Sequence, residues 1–245
     1  MLNKFTENYI ELYWSNMNET DLRIRKRNNL YESNTYVKLS VTHNKILEND
    51  IKYVNDKISM YKNLKTIKFK ITFYKDGLVE NNLPHTHGNI IFLPYKKYFL
   101  LSTNSRYILL LHEMLHIYQR TYTIQTHKLL LHVWKLKVNC HKSSFMKTNP
   151  SRNNPDINQL IYNSNFIYYE KYKEDANHLT NSQVHKIRLN GSSTSNAYDD
   201  LISSFPIPIQ YEHPFEVMAC VISYYIMNNK LSENKSLHNW CINYL

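Results

Sequence analysis

The 245-residue chain has little glycine or cysteine, with three residues of each. The cysteines, Cys140, Cys220 and Cys241, are odd in number and have no CxxC spacing. This pattern argues against a disulfide framework and against a cysteine-based zinc cluster. We therefore expect a reducing, intracellular environment.

We also expect neither a secretory signal nor a membrane-spanning segment. The first residues, MLNKFTENYIELYW, include Lys4, Glu7 and Glu11 and lack the apolar core of a secretory signal. No run of about 18 apolar residues is present, so we expect no membrane span. Apolar residues make up 42% of the chain and charged residues 20%, as in folded globular proteins. The length favours one domain over residues 1–245.

Acidic residues are too few to balance the basic ones, and the formal net charge is +10. Such a charge attracts nucleic acid, anionic membranes or acidic proteins. The densest basic cluster is LRIRKR, Leu22–Arg27, inside an N-terminal segment, residues 1–34, to which no motif gives a role. A phosphate-binding patch and a solvated helix face are both consistent with it, and the second is the commoner case. Nucleic acid is therefore a candidate partner.

Apolar periodicity predicts alternating strands and helices in the first half. The segments Tyr36–Val41 and Thr66–Tyr74 alternate apolar and polar residues, as a half-buried strand does. Between them, Lys45–Leu64 has an apolar stripe at spacings of three and four, which predicts a helix. Gly88–Pro94 is predicted as a strand, and one of the residues Ser102–Ser105 is expected to cap the next helix.

The second half gives weaker signals. His127–Val138 favours neither helix nor strand, and Ser143–Asp156 has the composition of a loop. Phe166–Tyr172 and Val184–Gly191 are predicted to form a hairpin, and a helix is expected to begin at Pro214. These elements predict an α+β fold: a small twisted mixed sheet with an exposed edge strand, a backing helix and a mainly helical C-terminal part.

The most specific pattern is LLLHEMLHIYQR, Leu109–Arg120, which contains an HExxH motif. His112 and His116 lie one helical turn apart on one face, so both imidazoles can bind a single ion. Glu113 projects about 100° away and can reach a metal-bound water. The alternative is a buried helix with no ion, but burying these polar side chains without partners is costly.

Catalytic zinc takes three protein ligands and keeps one position for water, whose pKa it lowers. Glu113 can then act as general base and afterwards as general acid. Gln119 and Tyr122 stand where the HExxHxxGxxH pattern needs Gly and His, so the metzincin class is excluded.

The third ligand must come from elsewhere, and YEHPFEVMAC, Tyr211–Cys220, offers candidates. Glu216 lies in the first turn of the helix predicted from about residue 214 and completes a His2Glu set. Its alternative role is to cap that helix or complement its dipole. Glu212 and His213 are the other candidate ligands.

Two further groups of residues have weaker chemical interpretations. Tyr211 and Tyr162 can stabilise an oxyanion, although tyrosines more often serve in packing. His85 and His87, in PHTHG, precede the predicted strand from Gly88, where a ring can donate to a substrate or simply belong to a turn.

Three ordered motifs resemble a poorly characterised group of zincin-like metallopeptidases encoded by large DNA viruses and some bacteria. They are HEMLHIYQR, RNNPDINQLIY at Arg152–Tyr162 and HPFEVMA at His213–Ala219. The resemblance covers about the last two-thirds of the chain, and the second and third motifs are much less specific than HExxH.

This resemblance implies a gluzincin-type site in which His112, His116 and Glu216 hold one Zn²⁺ and Glu113 is catalytic. It also implies that the strand from Gly88 is the edge strand along which a peptide or protein substrate lies. A viral origin implies the host cytoplasm or the virion as the location. The sequence thus predicts a zinc metallopeptidase; the alternative is a non-catalytic zinc-binding fold whose basic surface binds nucleic acid or protein.

Overall fold

The computed structural model describes residues 18–28, 35–77, 79–139, 160–162, 166–178, 181–188, 201–205 and 214–245. The helices are α1 (Glu19–Asn28), α2 (Val41–Ile58), α3 (Tyr95–Leu100), α4 (Thr103–Thr121), α5 (Thr123–Lys128), α6 (Pro214–Met227) and α7 (Lys235–Tyr244). The strands are β1 (Lys70–Tyr74), β2 (His85–His87), β3 (Ile90–Pro94), β4 (Lys137–Asn139), β5 (Leu160–Tyr162), β6 (Phe166–Tyr172) and β7 (Ser182–Arg188). Short 3-10 turns occur at Leu64–Thr66, Glu80–Asn82 and Leu231–Glu233, and a π-helical turn at Leu129–Val133. The α+β class and a mixed sheet are confirmed.

The first sheet has the strand order β1-β3-β2, in which β3 is parallel to β1 and antiparallel to β2. The prediction that the strand from Gly88 is the edge strand is therefore wrong, because β3 is hydrogen-bonded on both sides. The edge positions belong to β1 and β2, and all three residues of β2 are buried rather than exposed. A two-residue turn, Gly88-Asn89, joins β2 to β3, and Gly88 has a φ of 56°. Only glycine adopts this conformation readily, and it is typical of tight hairpins.

The predicted strand at Tyr36–Val41 is also wrong. Its one ladder contact is an isolated bridge between Tyr36 and Tyr74, and Val41 already begins α2. The hydroxyl of Ser40 accepts a hydrogen bond from the His43 backbone N–H and caps that helix. An N-cap residue takes an extended backbone outside the helix, so alternation that ends at a serine cap resembles a strand. The predicted strand at Thr66–Tyr74 shortens to β1, since Thr66 ends a 3-10 turn and pairing with β3 begins only at Lys70.

The first sheet is buried on both faces. Alternate residues Ile71, Phe73, Ile91 and Leu93 face the main core. The opposite face has a smaller apolar cluster of Tyr74, Val79, Ile90 and Phe92. Helix α4 packs against α2, α6 and β2, so it lies at the centre of the main core, next to the edge strand.

The second sheet is antiparallel, with the order β4-β5-β6-β7. Strands β6 and β7 pair from Phe166↔Arg188 to Tyr172↔Ser182, which confirms the predicted hairpin. The expected mainly helical C-terminal part is confirmed in residues 214–245, whereas residues 137–139, 160–162, 166–172 and 182–188 form strands. The ambiguous stretch before this sheet contains the end of α5, the π-helical turn and the start of β4.

The basic cluster Leu22–Arg27 lies on α1, but its central arginine is buried. Arg25 is fully buried and donates hydrogen bonds to Asp21, at 3.0 Å, and to Glu80. The hydroxyl of Tyr172 donates to Asp21 at 2.6 Å, which links α1 to β6. Arg25 is therefore not available to phosphate groups, whereas three other basic residues are exposed: Arg23, Lys26 and Arg27. No described helix is long and apolar enough to cross a membrane.

Candidate metal centre

Helix α4 presents the HExxH motif from the middle of a long, capped helix. Ser102 is the N-cap, and its hydroxyl accepts from the Ser105 backbone N–H at 3.2 Å. This confirms the cap predicted within Ser102–Ser105. Most residues from Leu110 to Gln119 are buried, but 17% of the His112 side chain is exposed. Solvent can therefore reach the motif on the side of His112.

Three side chains from α4 and α6 meet at this point. The Nε2 atoms of His112 and His116 are 2.9 Å apart. The Oε2 atom of Glu216 lies 3.2 Å from His112 Nε2 and 3.3 Å from His116 Nε2. These residues form a group that could hold a metal ion, the one such group found among the described residues. The structure thus brings together the three ligands predicted from two distant sequence motifs.

The dimensions of this triangle fit a small divalent cation. For tetrahedral zinc with bonds of about 2.0–2.1 Å, neighbouring ligand atoms are separated by about 3.3 Å. The three observed separations, 2.9 to 3.3 Å, are close to that value. Two imidazoles and one carboxylate, with a fourth direction left for water, form a donor set of the catalytic zinc type.

Each histidine also has a partner on its other ring nitrogen. His116 Nδ1 lies 3.0 Å from Gln119 Oε1, and the Gln119 amide donates to the Phe215 carbonyl at 2.8 Å. His112 Nδ1 lies 3.6 Å from the Cys220 sulfur. Such outer contacts fix ring orientation in metal sites. The contacts of Gln119 and Cys220 with the two histidines were not predicted from the sequence, although the i,i+3 spacing of His116 and Gln119 allows their contact.

Interactions within this group shift the pKa values of its residues in opposite directions. Burial alone lowers the pKa of His112, but hydrogen bonds with Cys220 and Glu216 raise it well above its ordinary value of 6.5. Burial alone raises the pKa of Glu216, but His116 and His112 hold it well below 4.5. These interactions favour the anionic form of Glu216 and the protonated form of His112, and a divalent cation could take the place of the proton between them.

Glu113 is 3% exposed. Its charge adds to the larger effects of burial and Glu80 on the pKa of Tyr74, and to the larger effects of Cys220 and Glu216 on the pKa of His112. The carboxylate is therefore within electrostatic reach of both β1 and the metal-binding group. Arg120, seven residues on, lies on nearly the same face of the helix. Its guanidinium donates to Thr86 Oγ1 and to the Gly88 carbonyl, both at 2.8 Å. This face of α4 therefore runs along β2.

Four further residues predicted for the site lie wholly or partly outside the described structure. Tyr211, Glu212 and His213 lie outside the described residues, so Glu216 is the one candidate third ligand that can be located. Tyr162 belongs to β5, and its side chain lies outside the described part of the chain.

The two histidines of PHTHG are buried in β2, with His85 at 2% and His87 at 7% exposure. His85 stacks on Phe92, and both rings lie on the sheet face of the smaller cluster. The burial of both rings favours a role in packing, and a role for either ring in donating to a substrate stays a prediction.

Comparison of the chain with protein-family models, curated proteins and solved structures gives no match.

Proposed function

We propose that this protein is a zinc-dependent metallopeptidase of the gluzincin type. The main support is the meeting of His112, His116 and Glu216 within 3.3 Å of one another. A His2Glu set with an open fourth position is characteristic of hydrolytic zinc sites. The HExxH motif adds a buried carboxylate, Glu113, beside that set. This ligand set also favours zinc over magnesium or calcium, which prefer oxygen ligands alone.

In this proposal the protein supplies ligands, a proton acceptor and a dry environment. A zinc ion held by His112, His116 and Glu216 would lower the pKa of a water molecule toward neutrality and polarise the scissile carbonyl. Glu113 would accept a proton from the attacking water and deliver it to the leaving amine. Because Glu113 is 3% exposed, its charge acts in a medium of low polarity, where electrostatic interactions are stronger.

An extended peptide is the substrate class that the resemblance implies. Strand β2 is an edge of the first sheet and packs against α4, the helix that contains Glu113. All three residues of β2 are buried, so this edge is not open for a peptide to pair with it by β-augmentation. We therefore propose a peptide substrate without assigning it to an edge strand.

Replacing Glu113 with Gln tests the proposal. Glu113→Gln keeps the size of the side chain but cannot accept the proton, so zinc content stays at one ion per chain. Cleavage of a mixed peptide library falls at least about 100-fold, the lower range for loss of a general base. The matched control is Glu48→Gln, on an exposed position of α2, which leaves cleavage unchanged.

Two outcomes overturn the proposal. Equal cleavage by wild type and Glu113→Gln shows that the activity does not use this site. Absence of cleavage by zinc-loaded wild type favours the alternative, a non-catalytic zinc-binding protein with a basic surface.

A further inference from the structure

Gln119 lies between the two helices that provide the metal ligands. Its side chain is 1% exposed and contacts α4 and α6 at once. On one side it meets His116 Nδ1 at 3.0 Å, and on the other it meets the Phe215 carbonyl at 2.8 Å. Phe215 immediately precedes Glu216, so one amide group contacts one ligand, His116, and the residue next to a second, Glu216.

The direction of both hydrogen bonds follows from the chemistry of the partners. A carbonyl oxygen can only accept, so the end of the amide that faces Phe215 must be the NH2 group. The other end, Oε1, can only accept, and His116 must therefore hold its hydrogen on Nδ1. This leaves the Nε2 lone pair of His116 pointing toward Glu216 and His112, as metal binding requires.

We propose that Gln119 is a positioning residue that fixes the tautomer of His116 and holds the first turn of α6 so that Glu216 meets both histidines. The inference rests on the proposed zinc site but not on turnover. A carboxylate or a backbone carbonyl commonly holds a zinc-bound histidine, and here a neutral amide does so while also joining two helices. A single side chain therefore sets the orientation of one ligand and the location of another.

Zinc affinity of two variants tests the two halves of this role. Gln119→Leu removes both hydrogen bonds at similar volume and weakens zinc binding by about 10–100-fold, the usual effect of losing an outer partner. Gln119→Glu keeps an acceptor for His116 and loses only the donor to Phe215, so its affinity lies between those of Gln119→Leu and wild type. Competition with a chromogenic chelator measures all three values.

A control variant in the adjacent helix, α5, separates an effect on stability from an effect on ligand positioning. Thr126 is fully buried, and its hydroxyl donates to the Tyr122 carbonyl at 3.2 Å without contacting a metal ligand. Thr126→Val removes one buried hydrogen bond and leaves zinc affinity at the wild-type value. The visible spectrum of the Co²⁺-substituted protein changes in Gln119→Leu, because the ligand geometry changes, and stays the same in Thr126→Val.

The tautomer itself can be measured in the wild-type protein, whether or not the variants fold. Long-range ¹H–¹⁵N correlation spectra of the zinc-loaded protein are expected to show the proton of His116 on Nδ1. A zinc-loaded His116 with its proton on Nε2, or wild-type zinc affinity in Gln119→Leu, overturns the inference. Failure of wild type to cleave peptides, with these results intact, counts against the proposed peptidase function alone.

Discussion

At the scale of single residues, Glu80 is a buried carboxylate whose charge depends on its buried neighbours. Burial alone raises its pKa, but the adjacent guanidinium of Arg25, with further contributions from His85 and His87, holds it at about 2, below the ordinary value of 4.5. A carboxylate with a lowered pKa stabilises the fold above its unfolded-state pKa and stops doing so as the pH falls through its folded-state pKa.

The free energy of unfolding is therefore expected to decrease between about pH 4.5 and pH 2. The contribution of Glu80 in this window is on the order of 3 kcal/mol, because one pKa unit corresponds to about 1.36 kcal/mol. Denaturant unfolding of wild type and Glu80→Gln at several pH values measures it. The difference between the two proteins shrinks as the pH falls, and a constant difference contradicts this account.

The site residues show how far sequence patterns extend at this scale. His112, Glu113 and His116 follow from HExxH because helical spacing fixes their mutual geometry. Glu216 follows only from a separate helix start, and its distance from the histidines depends on how α4 and α6 pack. Gln119 is one of many polar residues at i,i+3 from another, so its contact with Phe215 cannot be inferred without the tertiary structure.

At the scale of elements, α1 is held in place by buried charge rather than by a broad apolar face. Arg25 joins Asp21 of the same helix to Glu80, which begins a 3-10 turn, while Tyr172 of β6 donates to Asp21. This helix therefore links the first sheet to the second. A buried ion pair is costly to disrupt from one side, since the other charge then loses its partner.

Arg25→Met is expected to destabilise the protein by about 3–5 kcal/mol, because two buried carboxylates lose their cation. The control, Arg23→Met, changes an exposed arginine of the same helix and shifts stability by less than about 0.5 kcal/mol. Chemical denaturation measures both values. Equal effects of the two substitutions disagree with the burial of Arg25.

Helices and strands with caps or apolar alternation in their own sequence could be predicted. Features that depend on pairing with distant segments could not. Helix α4 and the β6–β7 hairpin match the sequence prediction because caps and alternation are local. Strand β2 was missed because three residues show no clear period, although Gly88-Asn89 is a recognised hairpin turn. The strand order, in which β3 is central, depends on which segments pair with one another. The sequence of a single strand does not contain that information.

At the scale of the whole molecule, the candidate site joins parts of the chain that are distant in sequence. His112 and His116 come from α4 and Glu216 from α6, and α6 packs along α4 inside the main core. The formal charge of +10 does not determine the function, since Arg25, at the centre of the densest basic cluster, is committed to internal ion pairs. The proposed function therefore depends on the metal-binding group and not on the surface charge.

Zinc stoichiometry tests this claim most directly. We expect elemental analysis of the purified, zinc-equilibrated protein to give one Zn²⁺ per chain, both in wild type and in Glu233→Ala, which alters an exposed carboxylate near α7. The Glu216→Ala variant, which loses one of three ligands, is expected to retain much less than one ion after the same dialysis. A wild-type protein without bound zinc, or a Glu216→Ala variant that retains a full equivalent, would contradict the account.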